Sequence, residues 1–290
     1  KWTAAGGLSL ILGGELGGDW IASESLGDHA FARTSLFGEA QWELGQSLTI
    51  YPGFRLDYYS RFGAAASPSL SASWRITPRF RLRSAAGRAF RIPTFTELYY
   101  RDPNHEADSS LRPESSWSAE IGLDFIPAGN WFGSAAFFSR YDKDVIDWVR
   151  VSAADKWRTA NIHRIRTQGM ELTLEHVFSP GATVAAHYSR ITMDAGSLGL
   201  ISKYVLDYAR DSWSAATRFP MPLAFRCRQA LTYKRRADGR SYWLMDGRLE
   251  RDLFRFTAAL DFTNLLNSRY QEVRGVDMPG RWFILSLRTR

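Results

Sequence analysis

The chain has 290 residues, of which 45% are apolar, 23% charged and 14% aromatic. That aromatic content excludes a disordered chain, and no stretch approaches the roughly 18 uncharged apolar residues a membrane-spanning helix needs. The single cysteine, Cys227, excludes an intrachain disulfide framework and a cysteine-rich metal site. The net charge of +7 is carried almost wholly by arginine, with lysine only at Lys1, Lys143, Lys156, Lys203 and Lys234. The arginines recur at alternate positions, as in Arg79, Arg81 and Arg83 or Arg226 and Arg228. That spacing puts them on one face of strands, so a solvated sheet face or a lumen is a better reading than a nucleic-acid surface.

Strict apolar/polar alternation marks strands with two unlike faces. Phe80 and Leu82 alternate with Arg79, Arg81 and Arg83. Met170, Leu172, Leu174 and Phe178 alternate with Glu171, Thr173 and Glu175. Phe254, Phe256, Leu260 and Phe262 alternate with Arg255, Thr257, Asp261 and Thr263, and Phe283, Leu285 and Leu287 with Ser286 and Arg288. Punctuation by turn residues divides the chain into fourteen predicted strands. They fall at 2–18, 30–44, 47–58, 65–77, 79–90, 116–125, 131–141, 164–178, 182–192, 207–219, 222–234, 241–252, 255–265 and 281–289. Many are about ten residues or longer, which suits a tilted strand crossing a bilayer.

The predicted connections alternate. Short ones lie at Gly45-Gln46, Thr77-Pro78, 126–130, Ser179-Pro180-Gly181, Pro220-Met221 and Leu253-Phe254. The other set includes 91–115, 142–163, 193–206 and 266–280, with shorter members near 59–64 and 235–240. An up-and-down antiparallel sheet with tight turns at one end and long loops at the other has the layout of an outer-membrane barrel. Trp20, Tyr51, Tyr58, Tyr59, Trp131, Tyr141 and Trp213 sit near predicted strand ends, where amphipathic rings meet a membrane interface.

Several segments carry more than a pattern. Gly87 to Tyr100, reading GRAFRIPTFTELYY, resembles the GxAFRAPTFxELYY box of TonB-dependent outer-membrane receptors. Ser110 to Gly122 resembles that family's NPxLKPExSWxxElG box, with Ser109 and Ser110 in place of Asn-Pro. Tyr141 to Trp148, Asn161 to Glu171, and Asp261 to Tyr270 (DFTNLLNSRY) resemble further family segments, and Met278-Pro279-Gly280-Arg281 opens the last strand as it does there. The resemblance covers roughly residues 50–290 in family order.

This resemblance implies an all-β, antiparallel up-and-down transmembrane barrel segment, about 14 strands of a barrel of about 22 with a plugged lumen. It further implies that residues 1–290 form a single C-terminal barrel segment, without plug, TonB box or signal peptide. The implied activity is import of a scarce ligand (ferric siderophore, cobalamin or haem) across the Gram-negative outer membrane. The implied partners are the TonB energy-coupling complex, reached through an N-terminal plug, outer-membrane lipid and the barrel-assembly machinery. No cofactor, no nucleic acid and no enzymatic activity is expected. A nucleophile elbow, an HExxH pair and a glycine-rich phosphate loop are all missing from the sequence. The alternative is a complete 14-stranded passive channel of the porin or fatty-acid-channel type.

Ligand contacts are expected in the extracellular loops. Tyr99, Tyr100, Arg101 and His105 lie between the first two boxes, and Trp148, Trp157 and Arg158 lie in 142–163. Aromatic and guanidinium groups together suit a planar or anionic ligand. Haem receptors of this family resemble this chain in placing a histidine between the same two boxes, but the haem-type sequence around it is not recognisable at His105, and a solvated loop histidine is the plainer reading. Asp142, Asp144 and Asp147 offer oxygen ligands for Ca²⁺, but without a loop-defining Gly or a spaced Glu ordinary solvation is favoured and no metal site is expected.

Overall fold

The computed structural model describes residues 2–4, 7–127, 129–196 and 199–289. Strands account for 72% of the described residues and helix for 3%. In chain order the strands begin with β1 (Trp2–Ala4), β2 (Leu8–Ser23), β3 (Gly27–Leu44), β4 (Leu48–Tyr59), β5 (Gly63–Thr77) and β6 (Phe80–Arg91). A short helix α1 (Phe95–Tyr99), β7 (Arg101–Asp102), β8 (His105–Glu106), β9 (Glu114–Phe125), β10 (Trp131–Arg150) and β11 (Trp157–Ser179) follow. The remainder is β12 (Ala182–Asp194), β13 (Ile201–Ser202), β14 (Ala209–Met221), β15 (Phe225–Arg236), β16 (Ser241–Leu253), β17 (Phe256–Thr263) and β18 (Trp282–Thr289). Setting aside the short β1, β7, β8 and β13, fourteen long strands remain among the described residues, as the alternation pattern predicts. None of the described helices is long and apolar enough to cross a membrane.

The chain divides into two compact units. The first comprises residues 1–122, 137–168 and 192–206. Here β2, β3, β4, β5 and β6 form an antiparallel meander, each strand paired with the next. The register sorts side chains by parity. Leu48↔Trp74, Ile50↔Ala72, Pro52↔Leu70, Phe54↔Pro68 and Leu56↔Ala66 share one face, and Thr49↔Ser73, Tyr51↔Ser71, Arg55↔Ser67 and Asp57↔Ala65 share the other. The polar face carries a hydrogen-bonded ion cluster. Arg55 donates to Glu15 at 2.7 Å, to Asp57 at 2.9 Å and to Ser35 at 2.9 Å, and the Ser35 hydroxyl donates to Asp57 at 2.5 Å. Ordinary buried clusters occur beyond the meander. Leu98, Leu111 and Ile146 form one, and Val145, Val149, Ile162 and Ile165 another.

The second unit comprises residues 123–136, 169–191 and 207–290. β12 pairs with β14, and β14 through β18 pair consecutively, all antiparallel. One face carries Leu231, Met245, Leu249, Leu260 and Leu285. On the other, Arg226, Arg228 and Arg248 converge on Glu250 at 3.0, 3.1 and 3.0 Å. Arg226 and Arg228, which alternate in the sequence, therefore belong to an ion-pair network on one face.

The apolar faces in both units are not covered. Leu16 is 86% exposed, Leu285 81% and Trp20 78%, the inverse of a water-soluble protein, which rarely shows large contiguous apolar patches.

Three expectations need correction. The gap left between 18 and 30 is a tight turn at 24–26, because β2 and β3 stay paired out to Ser23↔Gly27. The expected loop 142–163 is mostly strand: β10 runs to Arg150 and β11 starts at Trp157. These strands of 20 and 23 residues exceed the roughly 9–11 a bilayer crossing needs, and Asp142, Asp144 and Asp147 lie in strand rather than loop. Tyr51 and Tyr59 share the parity of Arg55 and Asp57, so they lie on the polar face, whereas Tyr58 and Trp20 lie exposed on the apolar one.

Candidate functional site

The site begins where the two family-like boxes meet. Thr94 caps α1: its hydroxyl accepts from the Glu97 N–H, and the Glu97 carboxylate accepts from the Thr94 N–H at 2.7 Å, a reciprocal capping box. The Glu97 carboxylate also pairs with Arg91 at 2.8 Å, and Arg91 reaches Glu114 at 2.6 Å. Glu114 in turn accepts from the Ile146 N–H at 2.9 Å. Arg91 therefore joins the PTFTEL and PESSW segments and fastens both to β10. Burial pushes the Glu97 carboxyl up, but Arg91 and the Thr94 N–H outweigh it and hold the group below its ordinary range. Leu98 is 1% exposed and anchors the helix in the core.

From that anchor the chain presents Tyr99 one way and Tyr100 to His105 another. The Tyr99 ring stacks on His29, with centroids 3.4 Å apart, and its hydroxyl accepts from Arg61.

Tyr100 belongs to a second cluster centred on Asp102. Its hydroxyl donates to Asp102 at 3.0 Å, the Asn104 N–H donates at 2.6 Å, and His105 Nδ1 lies 3.0 Å from both carboxylate oxygens. Lys203 Nζ lies 2.9 Å from His105 Nε2. An ammonium has only donors, so Nε2 accepts and Nδ1 carries the proton given to Asp102. Desolvation opposes the Asp102 charge, but the Asn104 N–H, His105 and Tyr100 overcome it and hold the carboxyl at about 2.

Aromatic and cationic groups enclose this chain. Trp148 meets His105 edge-on at 5.1 Å. Trp157 pairs in parallel register with His105, and Arg158 with Glu106. The Arg150 guanidinium stands 4.3 Å from the Trp157 ring centre, and Lys203 stands 5.4 Å from it and 5.3 Å from Tyr204. Arg158 pairs with Glu106 at 3.0 Å, and exposed Arg101 sits opposite Glu106 in the β7–β8 ladder.

The segment that carries Lys203 is held by Asp147, which is 3% exposed. This carboxylate accepts from the Ser202 hydroxyl and from the Val205 N–H at 3.2 Å, while the Lys203 N–H donates to the Trp148 carbonyl at 3.0 Å.

The structure thus brings Tyr100, His105, Trp148 and Trp157 together, places Arg158 and Arg101 along the β7–β8 edge, and sets Tyr99 apart on His29 and Arg61. Trp148, Trp157, Arg158 and His105 lie on strands rather than loops. Sequence reasoning missed Lys203, Arg150 and Asp147 as site residues. Lys203 lies 98 positions from His105, and no local motif marks it. The Nε2 lone pair that iron ligation would use is engaged by Lys203. The three aspartates expected as Ca²⁺ candidates have separate partners: Asp142 pairs with Arg140, Asp144 with Arg112 and Asp147 with Ser202. No group of three or more metal-ligating side chains gathers among the described residues.

Long antiparallel strands with one exposed apolar face and one ion-paired face are the architecture of an outer-membrane β-barrel wall. The chain belongs to the TonB dependent receptor-like β-barrel family, whose model matches residues 8–265. Members of this family are outer-membrane receptors and transporters of Gram-negative bacteria. The chain is 26% identical over 220 residues to the ferrienterobactin receptor of Escherichia coli, covering 66% of this chain and 29% of that protein. It is 26% identical over 159 residues to the vitamin B12 transporter BtuB of Photobacterium profundum, covering 54% and 25%. Its fold is similar to that of the siderophore receptor PirA from Pseudomonas aeruginosa, with a TM-score of 0.77, 19% identity, and coverage of 97% of this chain and 51% of that one. The chain therefore spans about a quarter to a half of the length of these relatives.

Proposed function

We propose that this chain supplies barrel wall and extracellular rim to an outer-membrane receptor that imports an anionic ferric siderophore, with energy delivered by the TonB complex through a plug. The observation that carries the reading is the Asp102–His105–Lys203 chain set between Trp148 and Trp157, with Arg150 over the Trp157 ring. Ammonium and guanidinium groups lying against aromatic faces suit a ligand that is both planar and negatively charged. The ferrienterobactin receptor and PirA among its relatives support the same ligand class, and BtuB makes cobalamin the comparator. The exposed apolar faces support insertion in outer-membrane lipid, which would engage the barrel-assembly machinery.

The test is ligand binding by the protein in outer-membrane preparations, followed by quenching of tryptophan fluorescence. A ferric tris-catecholate should bind, and Lys203→Ala should weaken it about tenfold, the loss of one charge-assisted contact. Tight cobalamin binding with no response to Lys203→Ala would overturn the siderophore reading.

A further inference from the structure

The second unit carries a charged patch that the ligand platform does not use, on the apolar rather than the polar face. Across β12, β14, β15 and β16 the register aligns Tyr188↔Trp213↔Tyr233↔Trp243 as one row. Tyr188 and Trp213 have ring centroids 4.0 Å apart, and Tyr233 and Trp243 4.9 Å apart. Tyr233 lies two residues from Leu231 and Trp243 two from Met245, so the row shares the apolar face.

Two residues further toward the 195–208 and 237–240 connections comes a second row, Arg190↔Asp211↔Arg235. Arg235 pairs with Asp211 at 2.6 Å and Arg190 with it at 3.5 Å. The Tyr188 hydroxyl donates to the same carboxylate at 3.2 Å. A register shift between Ala209 and Asp211 inserts Arg210 as an extra residue, and a bulge of this kind re-aims its side chain. Arg210 Nε comes to 3.8 Å from Asp211 and has no hydrogen-bond partner. The Asp211 side chain is 7% exposed, while the three arginine side chains are 41–42% exposed. One buried carboxylate therefore gathers three arginines and leaves a surplus of two positive charges.

We infer that this patch is a docking surface for the phosphorylated headgroup of an outer-leaflet lipid, an inference that rests on the membrane reading of the apolar face. Tyr and Trp rows mark the depth at which hydrocarbon gives way to headgroups. Guanidinium groups immediately beyond such a row lie at headgroup level, where planar forks bind phosphate oxygens in pairs. Asp211 pre-orients the forks, which lowers the ordering cost of capturing the lipid. The shared face also lets acyl chains run past Leu231, Met245 and Leu260 while the phosphates meet the arginines.

The test is reconstitution of the protein into phosphatidylcholine nanodiscs doped with diphosphorylated lipid A or with its dephosphorylated form, then native mass spectrometry of the lipids that stay bound. The phosphorylated form should be retained preferentially. The pair Arg190→Gln with Arg235→Gln should reduce that retention about thirtyfold, at roughly fivefold per arginine near a membrane surface, and the corresponding Lys pair should keep most of it. Insertion with equal retention of both lipids overturns the headgroup proposal and leaves the membrane reading standing. Failure of the unmodified protein to enter nanodiscs overturns both. Displacement of the lipid by millimolar inorganic phosphate would assign the patch to a soluble anion and also overturn the proposal. If the Gln pair does not insert, the preference of the unmodified protein decides alone.

Discussion

Replacing Asp147 by asparagine tests whether one buried carboxylate positions the ligand platform. Asp147 Oδ1 accepts from the Trp148 N–H at 2.8 Å, and Oδ2 accepts from the Ser202 hydroxyl, from the Val205 N–H at 3.2 Å and from the Tyr204 N–H at 3.4 Å. All of these partners are donors, and an amide offers only one acceptor oxygen. In either flip, the substituted side chain would aim its NH₂ at a backbone N–H and lose the charge that strengthens the other bonds. A hydrogen bond to a charged group contributes about 1.5–3 kcal/mol, so the segment 201–206 should loosen by about 2–4 kcal/mol. That corresponds to roughly 30-fold to several-hundred-fold faster amide exchange at Lys203 and Val205. The opening should be local, with exchange in the β4–β5 ladder unchanged. Ligand affinity should fall with it, because Lys203 leaves His105. Unchanged protection at Lys203 and Val205 would refute the idea that Asp147 holds this segment.

Further outcomes follow from other parts of the molecule. Leu172 is 41% exposed on the apolar parity of β11, and Leu172→Arg should cost about 2–4 kcal/mol of stability in lipid if it lies near the bilayer midplane, measured by denaturant unfolding in vesicles; a change near zero would count against membrane embedding. Arg236 is 3% exposed and pairs with Asp207 at 2.7 Å and Glu272 at 3.3 Å, so Arg236→Gln, which takes the guanidinium from the buried Asp207 while Glu272 keeps Lys234 at 2.7 Å, should cost about 3 kcal/mol, readable as a lower unfolding midpoint. Asp102 has its pKa depressed from 3.8 to about 2. A depressed carboxyl contributes stability that is complete above its unfolded pKa and is lost as pH falls through the folded one. The ordering of 100–106 should therefore hold at pH 5 and above and fade between about pH 4 and 2, seen as loss of the His105 ring signals, and Asp102→Asn should abolish that pH dependence.

The wall was legible in the sequence because a strand with two unlike surroundings must alternate, and Phe80 to Arg83 or Leu260 to Thr263 do so without interruption. The limits of β10 and β11 were not legible. Asp142, Asp144 and Asp147 read as loop because three carboxylates within six residues break the alternation, the burial of Asp147 resting on distant partners, and Asp144 adopts a φ of 56°. His105 and Trp148 could be selected from their position between recognisable segments. Lys203 could not, since its importance arises only when β13 pairs with β10 through Val149↔Ser202. Asp147 was visible as a carboxylate, but its role depends on donors more than fifty positions away.

The register that sorts the two faces also limits how such a chain can change over generations. Deleting one residue within β15 would transfer Leu231 and Tyr233 to the polar side and Arg228 to the apolar side, so length changes in the wall survive only in twos. Single insertions are absorbed at the rims, where the shifts between Arg75 and Thr77 and between Ala209 and Asp211 lie. Connections such as 195–208 escape this parity rule altogether. A receptor of this construction can therefore acquire a new ligand by lengthening, shortening or rewriting its rim, while its wall drifts only by like-for-like exchange.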